Sequence, residues 1–235
     1  MAAPHSSWRP GQEPSSASPD LGSTGGAGLG FYTPAMSDLP VSLPSELEST
    51  FVGALDRAGK LVNALEALGP IADRDVLVVD AVDGPILRGL AGAGARLRVV
   101  DLAQPFRLPA DDASADVVLG LWSAFRGVDA TELAEVDRVL RPGGRHLVLH
   151  DYGRDDVSRL HGERPEYGAW SHRTGPFLTG GFRVRVVHSF WEFDSTEAAS
   201  AFLTSAFGEA GTAVGAELRR PRLSYNVAVY HRSRS

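Results

Sequence analysis

Four short apolar runs decide what this chain can fold into. "DVLVVDA", "ARLRVVDLA", "SADVVLGLW" and "RHLVLHDY" follow one another between residues 75 and 152. The first is nearly unbroken in apolar character, as a strand is when both faces of its sheet are covered. Between the runs lie "GPILRGLAGAG" and "DATELAEVDRVL", read as helices, the second with Asp129 as N-cap. "RPGG" reads as a turn into the fourth run. Strands alternating with helices build βαβ units and a mostly parallel sheet. The last third changes character: "FRVRVVHSFWEF" and "LSYNVAVYHR" alternate between two faces. They flank a helix, "STEAASAFLTSAFGEAG", capped by Ser195 or Asp194, and are expected to complete one side of the same sheet.

Upstream, "LPSELESTFVGALDRAGKLVNALEALG" predicts one helix. Ser45 and Glu48 have the spacing of a capping box, Phe51, Leu55, Leu61, Leu65 and Leu68 recur on one side, and Gly69-Pro70 stops it. Residues 1–42 are rich in Gly, Ser, Pro and Ala, have little to bury, and read as a disordered low-complexity tail. A single α/β domain is expected over 43–235.

Composition narrows the chemistry. Cysteine is absent, which removes disulfides, thiolate metal ligands and a cysteine nucleophile. The net charge of −6 argues against nucleic acid as main partner, because phosphate binding needs a basic footprint. Arg219, Arg220 and Arg222 form one small basic cluster, read as a solvated rim. No apolar run approaches the roughly 20 residues of a membrane helix, and no signal peptide is evident, so a soluble, cytoplasmic protein with no membrane partner is expected.

"LPADDASADVVLGLW", then a helix, then "EVDRVLRPGGRHLVLHDYG" closely resembles the later half of class I S-adenosylmethionine-dependent methyltransferases. In that family "LP-x-x-D-x-S-x-D" precedes the fourth strand and "RVLRPGG" enters the fifth. The resemblance implies a Rossmann-like three-layer sandwich, its sheet mostly parallel with an antiparallel final strand. It implies S-adenosylmethionine as cofactor, bound in the crevice where strand order reverses. Asp101, after "RLRVV", matches the acid that holds the ribose, and Asp111 and Asp112 would border the adenine side.

Set against the family's "VLDLGCGTG", the stretch "VLVVDAVDG" keeps Gly84 but carries Asp80 and Val82 in place of the first two glycines, with Val78 for the acid inside the strand. The Asp80–Asp83 turn, Asp83 included, would meet the methionine end. Val82 puts bulk where backbone would meet ligand, and Asp80 adds negative charge near the cofactor's carboxylate, although it can pair with the ammonium. A helix and strand on the adenine side are missing from the run "VVDLAQPFRLP"; otherwise Asp101 answers to a later acid of the family and another strand was lost. Weakened or lost cofactor binding is expected.

At the end of the fourth run, His150 and Asp151 are the candidates for general base and Tyr152 for orienting substrate; the plainer reading has Asp155 and Asp156 capping a helix and His150 merely ending a strand. "ERPEYGAWSHRTGPF" carries Tyr167, Trp170, His172 and Phe177, either a lid over a substrate pocket or a satellite core. No metal is expected: His150, Asp151, His161 and Glu163 lack ligand spacing. His188 reads as structural, and Gly180-Gly181 as a loop. The function implied is methyl transfer to a small-molecule acceptor. The alternative is a non-catalytic relative that binds a protein partner. A nicotinamide enzyme would need G-x-G-x-x-G, which "DAVDGP" does not supply.

Overall fold

A computed structural model describes residues 39–81, 84–101, 106–162 and 164–235. The sequence expectations for the tail therefore lie outside it, apart from residues 39–42.

"DVLVV" forms β1 (Asp75–Val79), paired in parallel on both sides: with β2 (Arg96–Val100) and with β3 (Ala115–Leu121). Its buried apolar run follows from that central place. β4 (Leu140–Asp151) lies parallel to β3. β6 (Arg222–Ser233) reverses direction, antiparallel to β4, and β5 (Arg183–Glu192) pairs antiparallel with β6 at the far edge. The sheet order is β2-β1-β3-β4-β6-β5, a Rossmann-like α/β sandwich with an antiparallel final strand. "RPGG" is no separate turn. Arg141–Gly144 runs within β4, and a register shift opposite Ala115–Val117 absorbs it.

Alternation along the strands makes two cores. Val76, Val78, Val117, Leu119, Leu147 and Leu149 face one side, where α1 (Ser45–Ala54), α2 (Lys60–Glu66), α3 (Pro85–Gly92), α5 (Asp156–His161) and α8 (Thr196–Glu217) cover them. Leu77, Val79, Val118 and Val148 face the other, under α4 (Ala130–Val139) and α7 (Pro176–Thr179). A short α6 (Pro165–Ala169) completes the set. Among the described residues no helix is long and apolar enough to cross a membrane.

The helix expected over residues 45–68 is two. Leu55 leaves helical geometry to bridge Trp191, and Asp56 takes φ 51°. The Asp56 carboxylate accepts from Lys60 N at 3.1 Å, Leu61 N at 2.7 Å and Ser189 Oγ at 2.5 Å, so it caps α2 from below. Pro44, not Ser45, stands at the cap position of α1, and no side chain caps that helix. This break also guards the sheet. Asp56 N donates to the Phe190 carbonyl and Lys60 Nζ to the His188 carbonyl, which occupies the outer edge of β5. Asp129 and Ser195 do cap α4 and α8.

The motif "EVDRVL" has a structural role that spacing alone does not reveal. Glu135 accepts from Leu108 N at 2.9 Å and from Arg138 at 2.6 Å, and Arg138 donates to the Leu108 and Ala110 carbonyls and to Asp112. α4 thus clamps the "LPADD" segment. The guanidinium, helped by Leu108 N–H, holds the Glu135 carboxyl down to about 2.

α8 breaks at Gly208 (φ 57°) and doubles back, with Ser200 Oγ donating to the Gly215 carbonyl and Thr204 facing Thr212. A Cβ on Gly211 would sit 1.8 Å from the Leu203 carbonyl oxygen, backbone that cannot yield. Gly211→Ala is expected to destabilise the fold by about 3 kcal/mol. Gly53, with nothing within 4 Å of its would-be Cβ, is the control. Gly53→Ala should stabilise by about 0.5 kcal/mol. Urea unfolding of both variants checks the pair, and equal midpoints would disprove the close helix crossing.

Candidate functional site at the carboxyl edge of the sheet

Strand order reverses between β1 and β3, and the turns after these strands form the lips of the crevice. Asp80 follows β1 with φ 48°, the left-handed conformation the first glycine of the resemblance would supply and one aspartate tolerates. Its N–H donates to the Val100 carbonyl at 2.9 Å, which fixes the turn against β2. Its carbonyl accepts from Ser123 Oγ at 2.7 Å, which ties the β1 lip to the β3 lip. Val82 and Asp83 lie outside the described residues. Gly84 is extended (φ −141°) and precedes Pro85 at the start of α3.

Asp101 comes directly after β2, exposed, at the same edge, because β1 and β2 run parallel with Val79 opposite Val100. β2 has no strand on its outer side among the described residues, and Val99 there is exposed. Asp101 ends the strand next to β1. Asp111 and Asp112 do not join this group. They precede β3, so they sit at the amino edge of the sheet, where Asp112 pairs with Arg138 at 2.6 Å. The adenine-side expectation for these two is corrected by strand direction alone.

The turn after β3 carries two more left-handed side chains, Trp122 (φ 40°) and Phe125 (φ 55°). Such strain in bulky residues persists only when the surroundings hold it. Trp122 packs into the first core and Phe125 into the second, its ring so close over Gly120 that a Cβ there would lie 2.5 Å away.

His150 and Asp151 point to opposite faces of β4. His150 is buried in the second core, edge-on to Trp170 at 4.7 Å, and its Nε2–H donates to the Phe125 carbonyl at 3.0 Å. Burial, reinforced by Arg126 and opposed by that hydrogen bond, holds the ring near about 4, so it is neutral at pH 7. The bond fixes the β3 turn.

Asp151 opens a polar network that the sequence did not suggest. Tyr225 of β6 donates to it at 2.5 Å, and His161 Nδ1 of α5 stands 4.0 Å from its other oxygen. His161 in turn meets Tyr167 of α6 at 3.2 Å. Burial pushes the Asp151 carboxyl up to about 6, against the pull of Tyr225 and Arg164. Burial and Arg164 push His161 down to about 4. The histidine is therefore neutral and the contact is no ion pair at pH 7. The phenol of Tyr225 is pushed well up by burial and by Asp151. Proton exchange near neutral pH belongs to Asp151 alone in this group.

The remaining candidates separate. Tyr152 is half-buried and packs on the second core, its N–H on the Asn226 carbonyl at 2.9 Å. Asp155 caps α5 with Ser158, and Asp156 instead holds Ser224. Tyr167 covers Gly153, whose would-be Cβ lies 2.9 Å from the ring. Trp170 and Phe177 enter the second core, and His172 stays in solvent beside Thr174. Among the described residues no three acidic or histidine side chains converge on a metal position.

No family model and no curated protein matches the chain. Solved structures similar to it include a methyltransferase dependent on S-adenosylmethionine from Aquifex aeolicus, at 16% identity over 83% of this chain and 100% of that one, with TM-score 0.44. Another is the geranyl diphosphate C-methyltransferase of Streptomyces coelicolor A3(2), at 14% identity over 76% and 81%, with TM-score 0.42. A third, from work on converting a disulfide bond into a thioacetal group during echinomycin biosynthesis, shares 17% identity over 79% and 85%, with TM-score 0.48. On its own sheet order, mostly parallel with β6 antiparallel, and on its "LPADDASAD" and "RVLRPGG" motifs, the chain has a Rossmann-like fold of the methyltransferase type.

Proposed function

We propose that the protein carries out S-adenosylmethionine-dependent methyl transfer to a small-molecule acceptor, through a cofactor site of lowered affinity. The carrying observation is that Asp101 and the left-handed Asp80 turn stand side by side at the carboxyl edge, next to the strand-order reversal. These residues fit the ribose and amino-acid ends of the cofactor: Asp101 would accept from ribose hydroxyls, and the Asp80 turn would border the amino-acid end, whose ammonium it favours and whose carboxylate it opposes. They offer no wall for the adenine beyond β2 among the described residues. Bound there, the cofactor supplies an electrophilic methyl group. Asp151, with its carboxyl near about 6, is the group able to take the proton an O–H or N–H acceptor releases, and Tyr225 orients it. Much of the rate comes from positioning.

A second reading, a non-catalytic partner-binding protein, is favoured by the Ser123–Asp80 bond, which links the two lips. Saturation-transfer NMR with S-adenosylmethionine and its demethylated product separates the two. Binding near the millimolar level, about −4 kcal/mol, is expected, with Asp101→Asn weakening it further. Absence of any binding by the unaltered protein would leave the second reading. Micromolar binding would show that the altered turn and missing strand have no effect on affinity.

A further inference from the structure

At the same edge of the sheet, on the far side of β6 from the crevice, a hollow of about 300 Å³ lies between the end of α8, α5 and the starts of β6 and the outgoing end of β5. Four arginines line it in a chain whose net charge is −6: Arg159, Arg219, Arg220 and Arg222. Two carboxylates share the wall, and both are engaged. Asp156 accepts from the N–H and hydroxyl of Ser224 at 2.9 and 2.7 Å, and Glu217 pairs with Arg159 at 2.7 Å.

The other three guanidiniums are left without an anion. Arg219, Arg220 and Arg222 form no ion pair among the described residues, and none of their side chains donates to a carbonyl of α8, so they do not serve as its C-terminal cap. Arg222 lies over the Phe190 ring at 4.3 Å, a ring that Lys60 Nζ also approaches at 4.7 Å, so cations gather at this side of the hollow. Phe190, Val214 and Leu218 give the hollow an apolar side. Three guanidiniums without an ion-pair partner that line one hollow beside an aromatic ring supply the charge and the apolar contact that an aryl anion needs.

We infer that this hollow is a second binding site, for a small anion that carries a phosphate or carboxylate on a flat apolar group, held by Arg219, Arg220 and Arg222 against Phe190. The inference is independent of the cofactor reading, since no residue of the crevice takes part.

Isothermal titration of the full chain with phenyl phosphate, at low ionic strength, tests it. One site per chain is expected, with inorganic phosphate binding more weakly for want of the ring. The double variant Arg219→Ser/Arg220→Ser should bind phenyl phosphate at least about tenfold more weakly, while the thermal midpoint of the free protein stays unchanged, because both side chains lie at the surface. Added salt should weaken binding as well. Equal affinity in the double variant, or no binding by the unaltered protein, overturns the site. Flotation with phosphatidylserine vesicles separates a lipid surface from a soluble ligand: capture by vesicles without phenyl phosphate binding also overturns it.

Discussion

Lowering the pH from 7 to about 5 is expected to remove about 5 kcal/mol of folding stability, a large part of the 5–15 kcal/mol typical of a domain. His146, His150 and His161 are held at about 3, 4 and 4 by burial, against an ordinary value of 6.5. The unfolded chain binds protons at these rings as pH falls through 6.5, and the folded chain does not. Each histidine therefore withdraws about 2 kcal/mol by pH 5. Asp151 works the other way. Its folded value of about 6 lies above the ordinary 3.8, so the folded state takes up the proton first and regains about 1 kcal/mol over the same interval. Glu135 and Asp75, both lowered to about 2 by their arginine partners, keep their full contribution at pH 5 and lose it only below the ordinary carboxylate range. Urea unfolding at a series of pH values measures the slope. His146 gives the control, because both its ring nitrogens are buried without a hydrogen-bond partner between Phe125 and Phe182. His146→Leu should change stability little at pH 7 and reduce the acid loss by about 2 kcal/mol. A flat profile would mean that these rings are not buried as neutral groups.

Phe177→Ala is expected to cost about 4 kcal/mol and lower the thermal midpoint by about 10 °C. Phe177 is fully buried. It stacks on Tyr230 at 3.9 Å and meets Phe182 edge-on at 5.3 Å, so its removal leaves a cavity walled by rings that cannot collapse together. As a lid residue, it would change acceptor affinity and leave the midpoint alone. His172→Ala, two positions past Trp170 and exposed, should stay within about 0.5 kcal/mol. Calorimetric scans of the two variants decide the matter, and an unmoved midpoint for Phe177→Ala would return this segment to the lid reading.

The first half of the site was legible because its signals are local. "DVLVV" had to be an inner strand, Asp101 had to end the next one, Asp129 had to cap, and the α8 cap lay between Asp194 and Ser195, since each depends on periodicity or on contacts within a few residues. Strand direction could even have removed Asp111 and Asp112 from the crevice, because residues before a parallel strand lie at its amino edge. The helix break at Leu55 was not legible: apolar spacing runs on through it, and only the distant Trp191 and Ser189 reward the departure.

The sequence by itself determined the alternation of strands and helices, the two buried faces, and the edge at which Asp80 and Asp101 end their strands. Tertiary structure alone decided what meets Asp151. Tyr225 is 74 positions away and reaches it only because β6 pairs antiparallel with β4, Val227 opposite Asp151, while His161 arrives on a helix docked above that pair. The pairing of β5 with β6 brings Arg222 to Phe190, and the packing of α5 beside α8 brings Arg159 to Glu217. A side chain's partner across a sheet is fixed by register and by the burial of whole faces. Those are sums over many distant residues that no short stretch of sequence contains.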